Sequence, residues 1–190
     1  MKVTKLLALG LLSAMTVTSL AGNSVFAAEA GGATNFEYTP GQSTGQNPDG
    51  TLADWTVDYP VKVVLNDSTV SYDSGINMPF TLLNTKKSAG GTQDTYTGAE
   101  TVTVKLATHA NTVGSTGIQM KDGQNAQQNV VMTLGSGASS QFRTDQDTTI
   151  GTMAADPDNE LSIKAWLTDK TGAEDGKTYT QTLTWKFSDQ

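Results

Sequence analysis

The sequence predicts an all-β fold, and three observations carry that expectation. Apolar residues recur with a period of two in segment after segment, the spacing that puts alternate side chains on one face of a strand. Clusters of Gly, Asp, Asn, Pro, Ser and Thr separate these segments, as in Lys121-Asp122-Gly123, Ala155-Asp156-Pro157-Asp158 and Thr171-Gly172-Ala173-Glu174-Asp175-Gly176. No stretch of about 11 residues, the length of an average helix, keeps apolar positions at helical spacing without Gly, Pro or a β-branched run. Short strands with polar outer faces and frequent turns point to an antiparallel, immunoglobulin-like β-sandwich, a single domain after a signal peptide, with a partly open barrel as the second choice.

Residues 1–27 carry the marks of a secretory signal peptide. Lys2 and Lys5 precede an apolar stretch from Leu6 to Leu20, and the small-residue run Ser24-Val25-Phe26-Ala27-Ala28 supplies a cleavage point after Ala27. Gly10, Ser13, Thr16, Thr18 and Ser19 interrupt the stretch, which falls short of the roughly 20 apolar residues of a membrane span. Residues 28–54 read as a flexible lead-in rich in Gly, Thr, Gln and Pro, with one short strand at Asn35 to Tyr38.

Residues 55–190 form the predicted sandwich. Trp55, Val57 and Tyr59 share one face, and Val61, Val63 and Leu65 another. Val102, Val104 and Leu106 oppose Thr101, Thr103 and Lys105; Val130, Met132 and Leu134 oppose Asn129, Val131 and Thr133. Leu161, Ile163, Ala165 and Leu167 oppose Ser162, Lys164, Trp166 and Thr168. In the final segment Tyr179, Leu183, Trp185 and Phe187 alternate with Thr180, Thr182, Thr184 and Lys186, which reads as one half-buried strand from Tyr179 to Phe187. The expected core contains Leu161, Ile163, Leu167, Val102, Val104, Leu106, Leu183 and Trp185. An ending inside a strand leaves no sorting tail and no membrane anchor after signal cleavage.

The chain of 190 residues has a net charge of −7, with 12 basic and 19 acidic residues. Removing residues 1–27 takes Lys2 and Lys5 and no acid, leaving ten basic against nineteen acidic residues, a net −9. Such a balance argues against nucleic acid and anionic lipid as partners, because phosphates are bound mainly by Lys and Arg. The absence of cysteine excludes thiolate metal sites, iron–sulfur clusters and thiol nucleophiles, so stability rests on packing and strand pairing.

No catalytic constellation stands out, and no metal or cofactor site is expected. His109 is the single histidine, and no Gly-x-Ser-x-Gly elbow surrounds any serine, so it reads as a loop residue in water. Asp145 with Asp147, and Asp156 with Asp158, Asn159 and Glu160, are the densest acidic clusters; turn chemistry accounts for the second without Ca²⁺, and the full EF-hand spacing is missing. Lys62, Lys105 and Lys164 lie on polar strand faces, as solvated lysines rather than partners in Lys–Asn cross-links. Trp166 shares its face with Ser162, Lys164 and Thr168, which makes it a candidate contact for a sugar ring or a protein, with a second buried layer or a covering loop as the alternatives. Trp55, at the border of the lead-in, is a second candidate.

The closing segment Tyr179 to Phe187 resembles the C-terminal motif of the WxL family of Gram-positive surface proteins, in which Trp, any residue and Leu end the domain. Trp185 matches and Phe187 stands in place of the leucine; the corresponding upstream segment is Trp55-Thr56-Val57, with Val57 in place of leucine. The resemblance implies a secreted, cell-wall-associated protein that binds peptidoglycan without a covalent link and associates with other surface proteins, with Trp55, Val57, Trp185 and Phe187 as motif positions. The primary expectation is therefore a non-catalytic surface module. A subunit of an extracellular assembly or adhesin complex joined by strand pairing is the second reading, and a secreted polysaccharide hydrolase is the third.

Overall fold

The structure is a computed structural model describing residues 37–46, 51–87, 91–123 and 125–189. Among these residues there is no helix, and thirteen strands form in chain order. They are β1 (Glu37–Gln46), β2 (Leu52–Asn66), β3 (Ile76–Lys87), β4 (Gln93–Thr95), β5 (Val102–Leu106), β6 (Thr112–Val113) and β7 (Gly117–Asp122). The remainder are β8 (Asn125–Gly137), β9 (Ser140–Gln141), β10 (Thr148–Met153), β11 (Glu160–Asp169), β12 (Thr178–Thr182) and β13 (Trp185–Asp189). Every pairing is antiparallel.

The larger sheet closes on itself. Trp55 to Asp58 of β2 pair with β3, while Lys62 to Asn66 of the same strand pair with β12, and the circuit returns through β7, β8 and β11 to β3. β2 can serve both neighbours because it is long and interrupted: Pro60 has no N–H to give to a ladder, and Val61 is skipped in the register with β1. A residue left out of register bends and twists a strand. The outcome is a six-stranded barrel, where an immunoglobulin-like sandwich would have two open sheets. A separate three-stranded sheet, ordered β10-β5-β13, packs beside it. Val102, Val104 and Leu106 of β5 and Trp185 of β13 are buried in the same cluster as Ile163, Leu167 and Leu183, and Leu161 packs against its margin. One core thus serves both sheets.

Two sequence expectations require correction. The lead-in is structured over residues 37–46, where β1 pairs with β2 from Glu37↔Val64 to Gln46↔Leu52, and Leu52 to Asp54 open β2. A segment with little to bury is ordered here by backbone hydrogen bonding and close approach. A Cβ on Gly41 would sit 2.6 Å from Val61 Cγ1, and one on Gly45 would overlap the Trp55 indole, so both glycines let β1 lie flat on its neighbour. Pro40 falls at a register shift on this edge strand, where a missing N–H costs least. The expected signal peptide, and residues 28–36 and 47–50 of the lead-in, lie outside the described residues.

The terminal segment is two strands rather than one. β12 belongs to the barrel and β13 to the smaller sheet, and the chain crosses between them at Leu183-Thr184. Leu183 N–H donates to Val61 O at 2.8 Å, and Thr184 O accepts from Ala107 N–H at 2.9 Å. The crossing keeps the period of two, so the alternation seen in the sequence gives no sign of the change of sheet.

Candidate functional site

The strands that carry Trp55-Thr56-Val57 and Trp185-Lys186-Phe187 meet in the fold. β13 lies against the first half of β2, and each strand's tryptophan bonds to the other strand. Trp55 Nε1–H donates to Asp189 Oδ2 at 2.9 Å, and Trp185 Nε1–H donates to the Pro60 carbonyl. Between these bonds Tyr59 and Phe187 pack with ring centroids 4.9 Å apart at 55°. Trp185 also stands edge-on to Phe80 of β3, 4.9 Å between centroids at 88°.

Of the candidate binding residues, Trp55, Val57 and Trp185 are buried and Phe187 is half-buried. Trp55, Trp185 and Phe187 build the β2–β13 seam, and Val57 belongs to the core. Trp166 is buried too, which corrects its reading as an exposed contact. The segment joining β2 to β3 folds over it: Tyr72 meets its ring edge-on at 5.5 Å and 89°, and Leu167 N–H donates to Thr69 O at 2.6 Å. Tyr72 is held by a hydrogen bond from its hydroxyl to Ser136 O at 3.0 Å, with Lys164 Nζ 4.8 Å from its ring centroid. The covering loop was the alternative that alternation along β11 could not decide.

Beside the seam lies a cleft of about 550 Å³ lined by Leu52, Ala53, Asp54, Thr85, Lys86, Glu100 and Asp189. Three carboxylates against one ammonium make it an acidic recess, and Leu52, 68% exposed, stands at its rim. Tyr96 fixes its wall by donating from its hydroxyl to Asp54 Oδ1 at 3.2 Å and accepting from Glu100 N–H at 3.2 Å. Burial pushes the Tyr96 phenol above its ordinary value, and the Asp54 carboxylate adds to the rise. The recess was not legible in the sequence, since its acids come from three separate segments.

In the acidic clusters noted in the sequence, Asp145 and Asp147 are bonded locally. Asp145 takes two hydrogen bonds from Arg143, at 3.0 and 2.7 Å. Asp147 accepts from Lys186 and from Thr108 N–H at 3.0 Å, and these bonds, that of Lys186 foremost, hold its carboxyl down at about 2. At Asp156 to Glu160 the chain makes a tight turn in which Asp158 N–H donates to Ala155 O and Ala154 N–H to Asp158 O, while Asn159 is buried and its carbonyl accepts from Leu82 N–H. Among the described residues no three His, Asp or Glu side chains are placed to hold a metal ion.

His109 is half-buried and not a loop side chain in free water. Its Nδ1 accepts from Asn111 N–H at 3.1 Å and its Nε2 faces Thr182 O at 3.3 Å, an arrangement that suits the neutral ring protonated on Nε2. Burial lowers its pKa below the ordinary 6.5, and the Lys121 charge lowers it further. The unfolded chain therefore takes up this proton first, and stability falls as the pH drops from 6.5 through the lowered folded value. Melting temperatures measured at about pH 7.5 and about pH 5.5, on either side of the unperturbed imidazole value, should fall more for the wild type than for His109→Gln. Equal falls would show that His109 contributes nothing to the pH dependence.

No family model, no curated protein and no solved structure matches the chain.

Proposed function

We propose that this protein is a non-catalytic module of a Gram-positive cell surface, exported and held without a covalent link on wall peptidoglycan, where it associates with other surface proteins. The observation that carries this reading is the meeting of β2, which carries Trp55-Thr56-Val57, with β13, which carries Trp185-Lys186-Phe187. The two tryptophans, 130 positions apart in the chain (55 and 185), each donate an indole hydrogen bond to the other's strand, at Asp189 and Pro60, as expected if both copies of a WxL-like motif serve one structural unit. The acidic cleft alongside supplies an accessible surface next to that unit. Both ring nitrogens of His109 face backbone atoms, so the described residues form no hydroxyl–histidine nucleophile pair there.

The test is sedimentation. Purified mature protein mixed with isolated Gram-positive cell walls should pellet with them in the absence of cross-linking, and protein that stays wholly in the supernatant would remove the wall reading. The strand-pairing assembly is supported by one feature: β1 pairs with β2 alone among the described strands and carries no charged residue after Glu37, so its edge lacks the lysines that discourage pairing. Size exclusion of the same preparation separates the two readings, because a monomer at high concentration leaves the assembly without support.

A further inference from the structure

The pocket around His109 lies at the crossing from β12 to β13, where the chain after β5 packs against β7 and β12. Its volume is about 340 Å³, enough for a small ligand group. Lys121, Asn111, Gln181, Thr182 and Thr184 line it together with His109, and no carboxylate does. This is a local exception in a chain with a net charge of −7. Lys121 is held in place by its strand, with Thr180 of β12 opposite it on one side and Ala126 of β8 on the other.

The charge of Lys121 is uncompensated. Among the described residues it makes no ion pair. The adjacent carboxylate, Asp122, is bound by Lys177 at 3.1 Å. The carboxylate bonded to Thr108 at the pocket's edge, Asp147, is taken by that residue and Lys186. His109 adds no charge in its neutral form, and the amide of Gln181 is spent on Gln119 O at 2.6 Å and Thr182 N–H at 2.9 Å. The remaining donors are the ammonium of Lys121, the Asn111 amide and the hydroxyls of Thr182 and Thr184. A cation beside neutral donors, in a recess free of acids, suits a small planar anion.

We propose that this pocket binds the terminal carboxylate of a peptide, with Lys121 as its charge partner and Asn111, Thr182 and Thr184 as neutral donors. The ligand class deepens the wall-binding reading and rests on it, since the peptide stems of peptidoglycan end in free carboxylates. Titration of the mature protein with N-acetyl-alanyl-alanine, followed by amide resonances in a ¹⁵N correlation spectrum, tests it. The resonances of Thr108 to Asn111 and Gln181 to Thr184 should move and saturate with the acid and stay fixed with its C-terminal amide. Lys121→Met should weaken binding about tenfold, the loss of one charge-assisted contact, and Lys121→Arg should retain it.

Equal responses to acid and amide, no response to the acid, or unchanged binding by a folded Lys121→Met would each overturn the proposal. The comparison of acid with amide needs only the wild type, so it stands even where the variant fails to fold. Sedimentation with walls keeps the two readings apart. Wild type that pellets without binding the acid preserves the wall reading and overturns the pocket, whereas acid binding without pelleting supports the pocket and removes the wall.

Discussion

Truncation after Lys177 is expected to give an unfolded or aggregating product rather than a soluble domain that has lost one surface. The deletion removes β12, which joins β2 to β7 and so closes the barrel circuit. It also removes β13, which makes one of the two edges of the smaller sheet. Tyr179, Leu183 and Trp185 leave the core with them. β5 would lose a partner along its whole length and β2 along a third of its own, exposing backbone donors and acceptors beside apolar side chains. The loss of three large buried side chains, at about 3 kcal/mol each, approaches the 5 to 15 kcal/mol of net stability typical of a domain. Circular dichroism should show no cooperative melting transition for the truncated chain, and size exclusion should show aggregate. A soluble, cooperatively melting truncation would mean that the barrel closes without β12.

The expectation of strands and core came from alternation, and alternation served well wherever one face of a strand meets the core and the other meets water. Val102, Val104, Leu106, Ile163, Leu167, Leu183 and Trp185 are buried as that pattern requires. It was silent where a second layer lies outside the sheet. Trp166 sits on the polar side of β11, and only the fold of residues 67–75 places Tyr72 on top of it. It was silent also on which sheet a strand joins, because a chain can pass from β12 to β13 without breaking period two. The sequence placed a strand only as far as Tyr38, and the rest of β1 was missed for another reason: its order derives from main-chain pairing and from glycines that admit close contact, and composition reads both as turn. The seam of Trp55 with Asp189, the acidic cleft and the pocket at Lys121 all join residues far apart in sequence, and nothing local to any of them signals its partner.

Trp185→Ala should cost about 3 to 5 kcal/mol, the usual range for deleting a large buried aromatic. Trp185 is 8% exposed, stands edge-on to Phe80 and donates its indole N–H to Pro60 O. The alanine variant loses the packing in a core shared by both sheets and leaves the buried Pro60 carbonyl without its donor. Trp185→Phe separates these effects, since a ring remains and only the N–H is lost; its expected cost is about 1 to 3 kcal/mol, the penalty of an unsatisfied buried acceptor together with a small loss of volume. Urea denaturation followed by far-ultraviolet circular dichroism measures both. A midpoint for Trp185→Ala within error of the wild type would show that β13 is peripheral to the core, and the seam could then not be what joins the two motif segments. Equal losses for Phe and Ala would instead assign the stability of the seam to its hydrogen bond, because the ring would then contribute nothing by packing on Phe80.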